Sequence, residues 1–368
     1  MRLKSITYEN FRNHRFLRFN PSSGINLLYG PNGSGKTSIL EGIHFCALTK
    51  GFLGSPDNES LSFSKDYFLL NSIFCDGNNS DINVKIIYTK EKDKQVIVNS
   101  SEIKRFSQHL GRIPCITFSP QEIVIVHGAP AERRRFIDNT ISQTDRRYLD
   151  DLLAYRRVLL QRNALLLHLY EIDERNSDML TIMTEQLAKI AASLIYARIK
   201  FLSLFFYHFK ALYSLLMINE DPAILYRCSA GKISEDPSLE ELYSLISLKF
   251  KQIKKQEIAR TQTLIGPHRD ELVFLLNEKE IKKYASQGQM RTFLICLKLS
   301  QHRYLSEITG EEPLSLLDDV FSELDEKRTE DILGILETYG QTIITSASKK
   351  EHSNITALSI DSFEKNSS

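Results

Sequence analysis

The 368-residue chain is poor in cysteine: five are scattered at 46, 75, 115, 228 and 296, with no CxxC and no regular spacing. Such a set speaks against a disulfide framework and against a zinc site, and suits a reducing, cytoplasmic setting. With only 16 Gly and 10 Pro, no long linker or low-complexity repeat is expected. Neither sign of charge dominates, since 47 Lys+Arg stand against 46 Asp+Glu. That balance rules out a basic nucleic-acid packager and an acidic disordered solubiliser, but leaves room for a local basic face. Long apolar runs are missing too. The most apolar stretch, 195–218, is interrupted by Arg198, Lys200, His208 and Lys210, short of the ~20 uninterrupted residues a bilayer span needs. Near the N-terminus Leu3, Ile6 and Tyr8 alternate with charge, unlike a secretion signal. What remains is a chain long enough for two domains and a sizeable core.

Short β-like runs fill the first 120 residues, at 3–11, 15–19 and 24–29, a hairpin at 82–88 and 95–99, and a buried strand at 115–118. From about Ala131 the period changes. Leu149, Leu152, Leu153, Arg156, Leu159 and Leu160 recur at three- and four-residue steps, as do Ile190, Leu194, Ala197 and Phe201. The stretch 131–260 is therefore predicted to be largely helical, broken near 219–222 and 236–237. Beyond Pro267, strands are predicted at 272–276, 314–317 and 342–346 and helices at 291–305 and 326–339. The pattern predicts an α/β head assembled from both chain ends, 1–130 and 261–368, with a helical insertion, the arm, at 131–260.

Gly30-Pro31-Asn32-Gly33-Ser34-Gly35-Lys36-Thr37 fits G-x-x-x-x-G-K-[ST] at every fixed position, between a predicted strand and a predicted helix over 37–48. Glycines at 30, 33 and 35 allow successive backbone N–H groups to turn toward phosphate oxygens. The helix N-terminus adds its partial positive charge. Lys36 can reach the β- and γ-phosphates, and the Thr37 hydroxyl can ligate Mg²⁺. This predicts binding of a nucleoside triphosphate.

A second acidic element, Leu314-Ser315-Leu316-Leu317-Asp318-Asp319, reads as a buried strand ending in two carboxylates. Two ionised groups cannot stay in an apolar core, so they should emerge at the strand's C-terminal edge, where α/β sheets bind ligands. Asp318 is expected to hold the metal and Asp319 to polarise the attacking water, with Lys36 stabilising the transferred charge.

Ala285-Ser286-Gln287-Gly288-Gln289, just before the helix predicted at 291–305, is similar to the LSGGQ-type signature of ABC ATPases. Ser286, the Gly288 backbone and the helix start would form a second anion cradle. One site needs only one phosphate loop, so a second cradle suggests a nucleotide shared across a dimer. Further stretches narrow the family: Glu9-Asn10-Phe11-Arg12-Asn13, Arg133-Arg134-Arg135-Phe136-Ile137-Asp138, Gly266-Pro267-His268-Arg269-Asp270, and the run from Leu317 to Asp325. Together, from about residue 2 to residue 348, the chain resembles the RecF family of bacterial recombination-mediator ATPases, relatives of SMC proteins.

The resemblance implies an ABC-type ATPase head with an inserted helical arm, ATP and Mg²⁺ as cofactors, an ATP-dependent homodimer, and binding to gapped or junction DNA. It further implies the recombination mediators RecR and RecO as partners, a place in the SOS response, and no membrane association. By position, Arg12 would touch nucleotide phosphates, Gln121 would stand at the Q-loop near the metal, Ser286 and Gly288 would act in trans, and Asp325 would cross the dimer interface. Two departures from the wider ABC pattern point to slow hydrolysis: Asp319 stands where transporters carry Glu, and Thr345-Ser346-Ala347-Ser348 lacks a switch histidine.

Basic clusters supply candidates for DNA. Residues 131–162 hold eight Arg against five acids, among them Arg133, Arg134 and Arg135, and residues 249–260 include Lys251, Lys254 and Lys255 against Glu257 alone. Such clusters neutralise phosphates or simply face water. No base-reading element is apparent, so contacts are expected to be to backbone and shape. His268 and Asp270 lack a third ligand and are expected to form a turn into the following strand rather than a metal site. The competing function is the ATPase subunit of another ABC-type assembly, transporter-like and without DNA binding. The long helical insert speaks against it. A long SMC-type tether is excluded by the 282 residues between Lys36 and Asp318 (318 − 36).

Overall fold

The computed structural model describes residues 1–52, 54–172, 177–217, 220–322, 324–349 and 353–364. The chain divides into two compact units, one of residues 1–123 with 295–368 and one of residues 124–294.

The first unit contains two sheets. Five parallel strands run in the order Ile355–Ser359, Ile25–Tyr29, Thr342–Ser346, Leu314–Leu317, Cys115–Phe118. Three of these, at Thr342–Ser346, Leu314–Leu317 and Cys115–Phe118, are buried at every position, as expected of parallel strands covered on both faces. The strand leading into the phosphate loop pairs with two strands from the far end of the chain, Leu27 with Ile344 on one side and with Ala357 on the other.

Six antiparallel strands form the other sheet, in the order His14–Phe19, Arg2–Phe11, Tyr67–Cys75, Asp81–Thr89, Asp93–Val98, Ser101–Glu102. Leu3 and Ile6 are both buried although an odd spacing should set them on opposite faces. A register shift between Leu3 and Ser5 inserts the extra residue and returns both to the core. One apolar cluster then joins both sheets to the helix Lys36–Leu48 through Tyr8, Phe11, Leu28, Ile43, Phe45 and Phe68. Gly42 is required here, because a Cβ would lie 2.2 Å from the Tyr8 ring.

The second unit is mainly helical, with Pro130–Thr144, Arg146–Glu171, Asp178–Leu216 and Leu239–Arg260. The periodicity at 149–160 and 190–201 is that of two of these helices, whose buried faces include Leu149, Leu152, Ala191 and Leu194. By length and composition alone, Asp178–Leu216 also qualifies as a membrane-crossing helix. Its Leu187, Ile195, Phe205 and Phe209 are buried within the unit.

The boundaries differ from those expected at 131 and 260. Pro222–Arg227, inside the predicted helical block, is a strand, and it pairs antiparallel with Glu271–Leu276, Leu272 opposite Tyr226. That pairing draws 261–294 into the second unit with the helices.

Candidate functional site

The phosphate loop lies between the strand Ile25–Tyr29 and the helix Lys36–Leu48, as its pattern demands. Gly33 and Gly35 hold φ values of 81° and 96°, a region L side chains rarely occupy. At Gly35 space forbids a side chain too, since a Cβ would stand 2.4 Å from Asn13 Nδ2 and 2.7 Å from the His14 ring. Gly35 is the N-cap of the helix, and no side chain caps the first turn. Those amides are left for an anion. Pro31, Asn32 and Gly33 are exposed, and the buried Ser34 Oγ has no partner among the described residues.

Lys36 is buried, and its Nζ donates to the carbonyls of Gly30 and Pro31, 2.7 Å each. Burial lowers its pKa, and the nearby charges of Asp319 and Asp318 act the other way.

The second acidic element meets the loop at Asp318. Thr37 Oγ1 donates to its two carboxylate oxygens at 2.9 and 3.1 Å. Thr345 Oγ1 donates to Oδ1 at 2.6 Å and accepts the Asp319 amide at 3.0 Å. Burial raises the Asp318 pKa, outweighing the two hydroxyls and Lys36, and the Asp319 charge adds to the rise. A carboxylate stressed by burial, with a hydroxyl within 3.1 Å, offers the hard oxygen donors Mg²⁺ prefers. The residues fit that ion, and Thr37 and Asp318 would hold it. Among the described residues no group of three His, Cys, Asp or Glu offers another metal site.

Asp319 has a φ of 48°, unusual for a residue with a side chain. The Thr345 hydroxyl holds its amide in that conformation. The sequence gives no sign of this role for Thr345, whose neighbourhood is notable there only for its lack of histidine.

Arg12 is held by a carboxylate. Its Nη2 donates to Glu41 Oε1 at 2.7 Å and its Nε lies against Oε2. Gln121 is exposed in the 3-10 turn Pro120–Ile123 with no side-chain hydrogen bond among the described residues. The adjacent Glu122 is engaged instead, accepting from the Ser119 amide at 3.0 Å and pairing with Lys298. Gln121 thus makes no hydrogen bond to Thr37 or Asp318 among the described residues.

The signature helix starts earlier than predicted, at Gln287, and runs to Thr309. Ser286 Oγ accepts the Gln289 amide at 3.2 Å, while Gln289 Oε1 accepts the Ser286 amide at 2.8 Å. This is a capping box, and it places Gly288 inside the first turn. Asp325 caps the helix Glu326–Glu337 through the Arg328 amide, 2.8 Å. Glu323, in the same acidic run, lies outside the described residues.

The basic clusters separate by burial. Arg133, offered above as a DNA contact, is 3 % exposed and paired with Glu271 at 2.8 Å, bracing the helix Pro130–Thr144 against the strand Glu271–Leu276. Arg134 donates to the Asp270 carbonyl at 2.8 Å, and the exposed Arg135 pairs with Glu132. Lys251 and Lys255 are exposed and Lys254 half-buried on the helix Leu239–Arg260, with no ion pair among the described residues. Asp270 is buried, taking the Ser229 amide and hydroxyl at 2.7 and 2.6 Å. His268 Nδ1 lies 2.7 Å from the Tyr155 hydroxyl, and burial pushes its pKa down to about 4. These hydrogen bonds hold the turn that leads into the strand Glu271–Leu276.

A family model described as an AAA domain matches residues 5–366. The chain is 52 % identical over 360 residues to the DNA replication and repair protein RecF of Chlorobium luteolum, covering 98 % of each chain. Its fold is similar to that of a recombination mediator protein RecF solved with ATP, in the RecFOR pathway, at a TM-score of 0.89 and 33 % identity, covering 95 % of this chain and 93 % of that one. The Smc head domain of Pyrococcus furiosus shares the fold at a TM-score of 0.53 and 14 % identity, over 94 % of this chain and 89 % of that one.

Proposed function

The chain belongs to the RecF family of DNA replication and repair proteins, and from that premise we propose an ATP-driven switch that dimerises on DNA gaps and lets go on slow hydrolysis. Its work would be recombinational repair and replication-gap processing in the cytoplasm, as a recombination mediator alongside RecR and RecO and within the SOS response.

The observation that carries this reading is the convergence of Thr37, Thr345 and Asp318 within 3.1 Å beside a phosphate loop whose lysine is turned onto its own carbonyls. On ATP binding, Lys36 leaves Gly30 and Pro31 for phosphate oxygens, and the loop amides turn their N–H groups on the same chain of phosphates. Mg²⁺, when bound, neutralises phosphate charge. Thr37 and Asp318 orient toward it, and Asp319 accepts the proton of the attacking water. Ser286 and Gly288 of a second copy close over the terminal phosphate, with Asp325 at the interface. Asp319 is one methylene shorter than a Glu and Thr345-Ser346-Ala347-Ser348, at the end of the strand Thr342–Ser346, holds no histidine, which suits a switch rather than a fast enzyme.

Basic side chains on the helix Leu239–Arg260, including Lys251, Lys254 and Lys255, would meet DNA phosphates at single-strand/double-strand junctions. Sedimentation with and without ATP and Mg²⁺ tests the dimer. Wild type should shift from monomer to dimer, and Ser286→Arg should bind ATP normally yet stay monomeric. A Ser286→Arg chain that dimerises like wild type removes the trans site.

A further inference from the structure

Arg12 sits in the turn between the strands Arg2–Phe11 and His14–Phe19, with a φ of 49°. Its backbone is fastened at both ends: the amide donates to the Ser60 carbonyl at 2.7 Å, and its carbonyl accepts the Ser62 hydroxyl at 2.6 Å. The next two residues rest on the phosphate loop. His14 Nε2 lies 3.1 Å from the Gly35 carbonyl, and Asn13 Nδ2 occupies the space a Gly35 side chain would need.

The side chain is fixed as firmly. Glu41 is wholly buried on the helix Lys36–Leu48, four residues after Thr37 and so on the same helical face. A buried carboxylate demands a partner, and both of its oxygens lie on one edge of the Arg12 fork, Nε and Nη2. A guanidinium has a second edge. Nη1 has no partner among the described residues, and the Arg12 side chain is 22 % exposed where that of Glu41 is 1 %. The seat of the carboxylate is shaped too, since a Cβ at Gly51 would lie 2.4 Å from Glu41 Oε1. A buried ion pair is a poor way to gain stability alone, because apolar pairs of the same volume do as well. It does fix a direction.

We propose that Glu41 is a positioning residue for nucleotide recognition, holding the Arg12 fork so that its open edge meets the phosphate chain of ATP. This rests on the reading that Arg12 touches nucleotide phosphates, and the experiment separates the two.

ATP affinity is measured by competition against a fluorescent ATP analogue, using full-length Arg12→Ala, Glu41→Gln and the double variant. Arg12→Ala should bind ATP roughly tenfold more weakly, the worth of one charged hydrogen bond. Glu41→Gln should lose most of that factor in the wild-type background and nothing further in the Arg12→Ala background. If Arg12→Ala binds ATP like wild type, the phosphate role of Arg12 falls. If Arg12→Ala is weakened but Glu41→Gln costs the same in both backgrounds, Glu41 supports the fold only, and the positioning role falls while the Arg12 reading stands. Should Glu41→Gln fail to fold, Arg12→Lys decides, because it leaves Glu41 its counter-charge but has no second edge. It should match Arg12→Ala, and wild-type affinity for Arg12→Lys overturns the proposal.

Discussion

Replacing Thr345 with valine keeps volume and shape and removes one hydroxyl that serves both acids of the site. That hydroxyl donates to Asp318 Oδ1 at 2.6 Å and accepts the Asp319 amide at 3.0 Å, on a residue 1 % exposed. A hydrogen bond to a charged group is worth about 1.5–3 kcal/mol, and a buried donor left unpaired costs about 1–3 kcal/mol. The two losses share one atom and will not add fully, so a destabilisation of roughly 2–4 kcal/mol is expected. The loss should be seen as a lower urea midpoint with an unchanged slope. Function should change unevenly. Without its anchor the Asp319 backbone no longer needs a φ of 48°, so the carboxylate proposed to polarise water would lose its aim while Lys36 and Thr37 stay in place. Thr345→Val should therefore lower the ATP turnover number more than ATP affinity, and Thr345→Ser, which keeps the hydroxyl, should restore both. A valine variant with wild-type midpoint and turnover would show that the two hydrogen bonds neither stabilise the site nor orient Asp319.

Asp318→Asn should raise the melting temperature of the nucleotide-free protein in EDTA near pH 7. Burial lifts the native Asp318 pKa above its unfolded value, 3.8, so the charged form at neutral pH is a cost that asparagine removes. The advantage should shrink as pH falls through the native value and vanish below the unfolded one, where both side chains are neutral. A lower neutral-pH melting temperature for Asp318→Asn would mean the hydroxyls outweigh burial. Changing Lys251, Lys254 and Lys255 together to Glu should weaken duplex binding equally for unrelated sequences in ATP. The log–log salt slope should flatten by ~3, at about 0.9 for each phosphate that is no longer neutralised. An unaltered slope would assign the DNA surface elsewhere.

The parts of the site legible in the sequence are those whose partners are close along the chain. The phosphate loop and Asp318-Asp319 each form one contiguous run, and their chemistry follows from spacing. Thr345 and Glu41 were not legible, because their roles exist only through Asp318 and Arg12, which come from other strands and turns. One miss had a readable signal: Ser286 followed three residues later by Gln289 is a capping-box pattern, which starts the helix at Gln287 instead of 291. The strands Tyr67–Cys75 and Ile355–Ser359 were missed, and so was Pro222–Arg227, which sits in a helical context and is a strand because Glu271–Leu276 offers it a ladder. Charge counting grouped Arg133 with solvent-facing arginines. Only packing reveals that it is buried on Glu271.

The strand that delivers the phosphate loop, Ile25–Tyr29, takes both of its neighbours from beyond residue 341. During synthesis it leaves the ribosome early and then waits for more than 300 further residues (342 − 29). At about 5–20 residues per second that wait lasts on the order of tens of seconds. Throughout it, a short apolar strand has no native partner on either edge, a state prone to wrong pairing. A chain cut or stalled before Thr342 thus carries the full nucleotide motif as text but lacks the pair of strands that turns it into a pocket.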